Sequence, residues 1–105
     1  MTYKVSLTDQ AKQDLRGIYE HIAFTLLEPD IAKSLVTRII DGLKSLRTMP
    51  ERCPIYQDEP WKSRELRRLN IGNYGAFYLV ADNVVQVIRI MYGGRDITTI
   101  LNETE

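Results

Sequence analysis

The sequence predicts an α+β fold in the order β-α-α-β-β-β, with an antiparallel helix hairpin packed on one face of a small, mainly antiparallel sheet. Three observations lead there. Residues 2–7, TYKVSL, alternate apolar and polar side chains. Two later stretches repeat apolar residues at helical spacing. Residues 64–96, RELRRLNIGNYGAFYLVADNVVQVIRIMYGGRD, form three apolar-rich runs separated by short turn signals. Helical and strand patterns that occupy separate parts of a chain make separate layers.

In the first strand Tyr3, Val5 and Leu7 share one side, the mark of a half-buried strand. Thr8 is placed to cap a helix, with Asp9 in the favourable first turn. Ala11, Leu15, Ile18, Ile22 and Leu26 then form one apolar stripe, which Gly17 weakens by up to about 1 kcal/mol relative to alanine. Glu28-Pro29-Asp30 breaks this helix and starts the next. Ala32, Leu35, Ile39, Leu43 and Leu46 make the second stripe, widened by Val36 and Ile40 and stopped by Pro50. So short a connection makes the two helices an antiparallel hairpin.

Residues 51–63 have no periodicity and read as a surface loop, pinned to the core by Ile55, Tyr56 and Trp61. Trp61 is an anchor in this reading rather than a base-stacking platform. The meander then runs from a strand at residues 65–69, through the Ile71-Gly72-Asn73 connection, to a second strand at 74–80. Ala81-Asp82-Asn83 turns the chain into a third strand at 84–92. VVQVIRIM is almost continuously apolar, as in a central strand covered on both sides. Arg89 interrupts it and must therefore snorkel to an edge or be paired. Residues 97–101 add a short helical turn or edge strand, and the NETE tail is expected to fray. The helix hairpin would leave the opposite sheet face concave.

Composition narrows the function. The 105 residues suit one domain, able to bury roughly two thirds of its unfolded surface without metal or disulfide. Cys53 is the one cysteine, so no internal disulfide forms and a reducing cytoplasm is expected. No apolar run approaches the roughly 20 residues of a membrane span, and no signal peptide is visible. Net charge is zero but uneven: residues 61–96 hold six Lys/Arg against three acids, the remainder eight against eleven. That is a mild basic patch, not the strong field of a dedicated nucleic-acid binder.

There is no Gly-rich phosphate loop, serine elbow, Cys/His metal set or useful carboxylate pair, so no metal or cofactor is expected. Cys53 and His21 make a poor nucleophile pair. What remains is arginine, tyrosine and scattered acids on a sheet. Metal-free RNA cleavage needs cations for the phosphate, which Arg68, Arg89 and Arg95 offer. It also needs proton-transfer groups, for which Glu65, Tyr78, Tyr92 and Asp96 are the candidates. The competing use of the same residues is to hold a protein partner, since Arg and Tyr are the usual interface anchors. A solvated face of salt-bridged arginines is the plainer account of any one of them.

Arg64-Glu65-Leu66, Gly72-x-Tyr74-x-x-Phe77-Tyr78 and Tyr92-Gly-Gly-Arg95-Asp96-Ile97 resemble, in order and spacing, the RelE/ParE superfamily of bacterial type II toxin–antitoxin toxins. The resemblance spans nearly the whole chain. It implies a RelE/ParE-like fold, a small cognate antitoxin partner in a hetero-oligomer, and one of two activities. RelE-like members are ribosome-dependent mRNA endoribonucleases; ParE-like members act on DNA gyrase and are not nucleases. Carried over residue by residue, the nuclease pattern keeps Arg95 at an expected arginine and Arg68 at an expected lysine. It is lost at Leu66 (lysine expected), Gly75 (arginine expected) and Leu101 (where a tyrosine fits the pattern). The neutral charge and the ending MYGGRDI are similar to the ParE-like branch. The expectation is a gyrase-directed toxin whose functional face comprises Arg68, Arg89, Arg95, Tyr78 and Tyr92, with Arg95 foremost. A ribosome- and mRNA-directed nuclease using Arg68 and Arg95 is the rival, and a degenerate member that only binds antitoxin is a third reading.

Overall fold

The computed structural model describes residues 2–93 and 96–104. The elements run β1 (Lys4–Leu7), α1 (Asp9–Glu20), α2 (Pro29–Lys44), β2 (Arg67–Ile71), β3 (Tyr74–Ala81), β4 (Val84–Tyr92) and α3 (Ile97–Asn102). The four strands lie in the order β1-β4-β3-β2, with β1 parallel to β4 and the other pairs antiparallel. The expected α+β architecture is therefore present, with the N-terminal strand inserted beside the last.

Thr8 caps α1 as its position foretold, its hydroxyl accepting from the Ala11 N–H at 3.1 Å. The last turn departs from the periodicity. His21–Thr25 is a π-helical turn, and the Leu26 N–H donates to the His21 carbonyl at 3.0 Å. The wider turn rotates Leu26 out of the stripe, leaving it exposed, and brings Ala23 inward against Ala32. In α2 the expected stripe is buried or half-buried throughout, but Ile40, expected to widen it, faces solvent.

Asp82 and Asn83 both hold positive φ, 52° and 64°, the requirement of a two-residue hairpin turn whose twist matches its strands. β2 sits two residues later than expected because Lys62 to Leu66 form a turn, in which the Glu65 N–H donates to Lys62 and the Leu66 N–H to Trp61. The β3–β4 register shifts between Phe77 and Tyr78: Phe77 faces Arg89 while Tyr78 faces Val87. This bulge leaves Ile88 without a counterpart and changes which face the later residues of β4 meet.

The helix face of the sheet buries Ala76, Tyr78, Val85, Val87 and Ile90 under Ile39, Leu43 and Leu46. The opposite face is not left concave and open. Phe77, Ile88 and Met91 are covered there by Trp61, Leu66, Ile97 and Leu101. Nor is the tail loose through Thr104. The Trp61 indole N–H donates to Asn102 at 3.0 Å, and Arg89 Nη1 donates to the Thr104 hydroxyl at 3.1 Å. Trp61 is thus the anchor the sequence suggested, and residues 97–102 take the helical option.

Candidate functional site

The sequence-derived face does not survive as one surface. Tyr78 is fully buried, and its hydroxyl donates to the Pro50 carbonyl. Burial first, and its hydrogen bond with Cys53 second, raise the phenol's pKa above the usual tyrosine range. Nothing outside the core can meet this side chain, so its expected place on a binding face is corrected. A raised value in the fold means stability present below the unfolded pKa near 10 and lost as pH climbs above it. Tyr78→Phe is expected to cost about 1–3 kcal/mol at neutral pH, by leaving the Pro50 carbonyl unsatisfied. It should also flatten the loss of stability above about pH 10. Urea titrations on either side of that pH check both.

Arg89 is the second correction. Its guanidinium holds Asp14 of α1 through Nε at 2.8 Å and Nη2 at 2.9 Å, and the same carboxylate accepts the Ile90 N–H at 2.9 Å. Both side chains are about nine-tenths buried. An arginine so engaged is an internal tie rather than a free contact. Paired burial is one of the two outcomes its position in the apolar run demanded.

Arg68 and Tyr92 do lie together. With Asn70, Gly72, Asn73 and Gly93 they line a shallow cleft of about 380 Å3 at the end of the sheet. Arg68 Nε donates to Asn70 Oδ1 at 2.8 Å, and its guanidinium carbon lies 5.4 Å from the centroid of the Phe77 ring. Glycines make this posture possible. A Cβ at Gly75 would stand 3.0 Å from Arg68 Nε, and one at Gly93 3.3 Å from Arg68 Nη2. Tyr92 is half exposed and meets Tyr74 edge-on, centroids 5.5 Å apart.

A second cation reaches this end of the sheet unforeseen. Arg38 of α2 lies beside the β2–β3 turn, where a Cβ on Gly72 (φ 58°) would be 3.3 Å from its Nη2. The sequence places Arg38 on the flank of the α2 stripe but gives no sign of what that flank meets.

The remaining candidates disperse. Arg95 lies outside the described residues. Glu65 is exposed with φ 60°, in the turn before β2 rather than within a strand. Asp96 is occupied as the cap of α3, its carboxylate accepting from the Thr99 N–H and, at 2.8 Å, the Thr99 hydroxyl. Leu66 and Leu101 are wholly buried. His21 is exposed near the hairpin tip and Cys53 is buried in the core. Among the described residues, no group of three His, Cys, Asp or Glu stands where it would hold a metal ion, and no helix is long and apolar enough to cross a membrane. Among the described residues, the cleft therefore offers one guanidinium, amide groups and a phenol. Among the described residues, no carboxylate or imidazole lines it to move a proton.

Solved structures share this architecture. The chromosomal ParDE toxin–antitoxin system of P. aeruginosa includes a chain that is similar with a TM-score of 0.72 and 24% identity, over 87% of this chain and 96% of that one. The toxin–antitoxin complex RelBE2 of Mycobacterium tuberculosis matches with a TM-score of 0.62 and 20% identity, over 88% and 92%. The archaeal RelE–RelB complex of Pyrococcus horikoshii matches at 0.61 and 22%, over 90% and 99%. No functionally curated protein matches the chain. The sequence profile described as the ParE toxin of the type II toxin-antitoxin system, parDE, matches residues 5–97. From first strand to third helix, then, this chain belongs to the ParE toxin family of type II toxin–antitoxin systems.

Proposed function

We propose that this toxin inhibits DNA gyrase by protein contact, without cleaving a bond itself, and is neutralised in the cytoplasm by a small cognate antitoxin. The observation that carries the reading is the packing around Gly75. The nuclease pattern expects an arginine there, yet the Arg68 guanidinium lies 3.0 Å from where even a Cβ would be. As placed, the Arg68 side chain occupies the space beside residue 75, and the glycine there supplies none of the charge that the nuclease pattern expects at that position. The family match and the neutral net charge support the same reading. The similar solved chains come from toxin–antitoxin systems, which supports the antitoxin partner.

The contact residues in this proposal are Arg68 and Tyr92, joined by Arg38 and, on sequence grounds, Arg95. Arg68→Ala is expected to weaken inhibition of gyrase supercoiling by about tenfold, with the circular dichroism spectrum unchanged. The same preparation is assayed for mRNA cleavage on translating ribosomes. Codon-positioned cleavage with supercoiling untouched overturns the proposal in favour of the ribosome-directed reading. Inhibition that Arg68→Ala and Arg95→Ala both leave intact removes these residues from the contact.

A further inference from the structure

The tip of the helix hairpin carries side chains that neither the fold nor the cleft accounts for. Phe24, Leu26, Leu27 and Ile31 are 66%, 54%, 77% and 56% exposed, a cluster of large apolar side chains where a chain reversal ordinarily carries polar ones. Leu27 stands out. It follows the π-helical turn with φ 57°, at the position where helices end on glycine because a Cβ is disfavoured in the left-handed region. The Glu28 N–H closes the turn on the Ile22 carbonyl at 3.0 Å, a backbone bond that glycine at 27 would keep. The leucine side chain therefore contributes nothing to the turn, is disfavoured by its backbone, and projects into solvent.

Charge says what covers it. From Gly17 to Ala32 the chain carries Glu20, Glu28 and Asp30 and no lysine or arginine; the first cations on either side are Arg16 and Lys33. All three acids are exposed. A second copy docked tip to tip would bring six carboxylates together around an apolar contact, which is repulsive. A membrane surface rich in anionic lipid is repelled for the same reason. With its backbone bonded within the turn, the tip offers side chains rather than a strand edge.

We infer that the hairpin tip is a docking surface for a cationic amphipathic helix of another protein, whose apolar side chains meet Phe24, Leu26, Leu27 and Ile31 while its Lys or Arg groups meet Glu20, Glu28 and Asp30. This surface is independent of the gyrase reading and stands if that reading falls.

The test uses the whole protein with two synthetic 18-residue helices of about equal length and apolar content, one patterned with leucine and lysine, the other with leucine and glutamate. Calorimetry is expected to give one-to-one binding of the lysine helix and none of the glutamate helix. Leu27→Gly is expected to weaken that binding about tenfold or more while leaving the melting temperature unchanged or higher. Glu28→Lys with Asp30→Lys is expected to weaken it at low salt, the difference fading as salt rises. Equal binding by Leu27→Gly overturns the inference. So does self-association in sedimentation, or pelleting with phosphatidylcholine vesicles, that the same substitution abolishes, because a second copy or a membrane is then the occupant.

Discussion

Asp14→Ala is expected to lower stability by about 3–5 kcal/mol, because it strands the Arg89 charge inside the protein. The carboxylate holds two guanidinium nitrogens and the Ile90 N–H together, so its removal orphans a charge and a backbone donor at once. Native domains have only about 5–15 kcal/mol to lose, and a chain of this size should melt at least about 12 °C lower. The double substitution Asp14→Leu, Arg89→Met separates this cause from mere loss of contact. Removing both charges should recover much of the stability, since apolar replacement of a buried pair is often neutral or better. A double variant as unstable as Asp14→Ala would show that the site does not depend on the uncompensated charge. Urea unfolding of the three proteins decides it.

Phe77→Ala is the second large effect, at about 3–5 kcal/mol. The ring is wholly buried at the centre of the second core, meeting Tyr56 edge-on at 5.6 Å between centroids and lying under the Arg68 guanidinium at 5.4 Å. The substitution should do more than destabilise. Trp61, Ile97 and Leu101 share this cluster, so α3 should lose hydrogen-exchange protection more than α1 does. The cleft should also lose the platform that orients Arg68. If the proposed gyrase contact is right, inhibition should fall with it under conditions where the variant is still folded. Uniform loss of protection across both helices would mean that the two cores are not separable.

How much of this was legible in the sequence depends on the range of the interaction. Alternation at Tyr3, Val5 and Leu7, the α2 stripe, the Thr8 cap and the Asp82-Asn83 turn are local, and the structure has each of them. The α1 stripe fails at Leu26 because a π turn inserts a residue into the period. Tyr78 was unreadable for a related reason. YGAFYLV has no polar residue to mark which side faces out, and the bulge beside Tyr78 breaks the register that would have told. Arg89 was legible as a problem but not as a solution, since its partner lies 75 residues earlier. The open concave face failed because Trp61 and Leu101 are recruited from either end of the meander to cover it. Arg68 and Tyr92 end up together only through the strand order.

The pairing of β1 with β4 ties Lys4 to Val84 and Leu7 to Val87. A nascent polypeptide therefore emerges with a first strand whose partner in the sheet begins 80 residues later. Closing a loop of that size is slow relative to helix formation. Any fragment ending before Val84 lacks both the neighbour of β1 and the Arg89 that Asp14 awaits, so premature termination should yield an unfolded, harmless peptide rather than a partial poison.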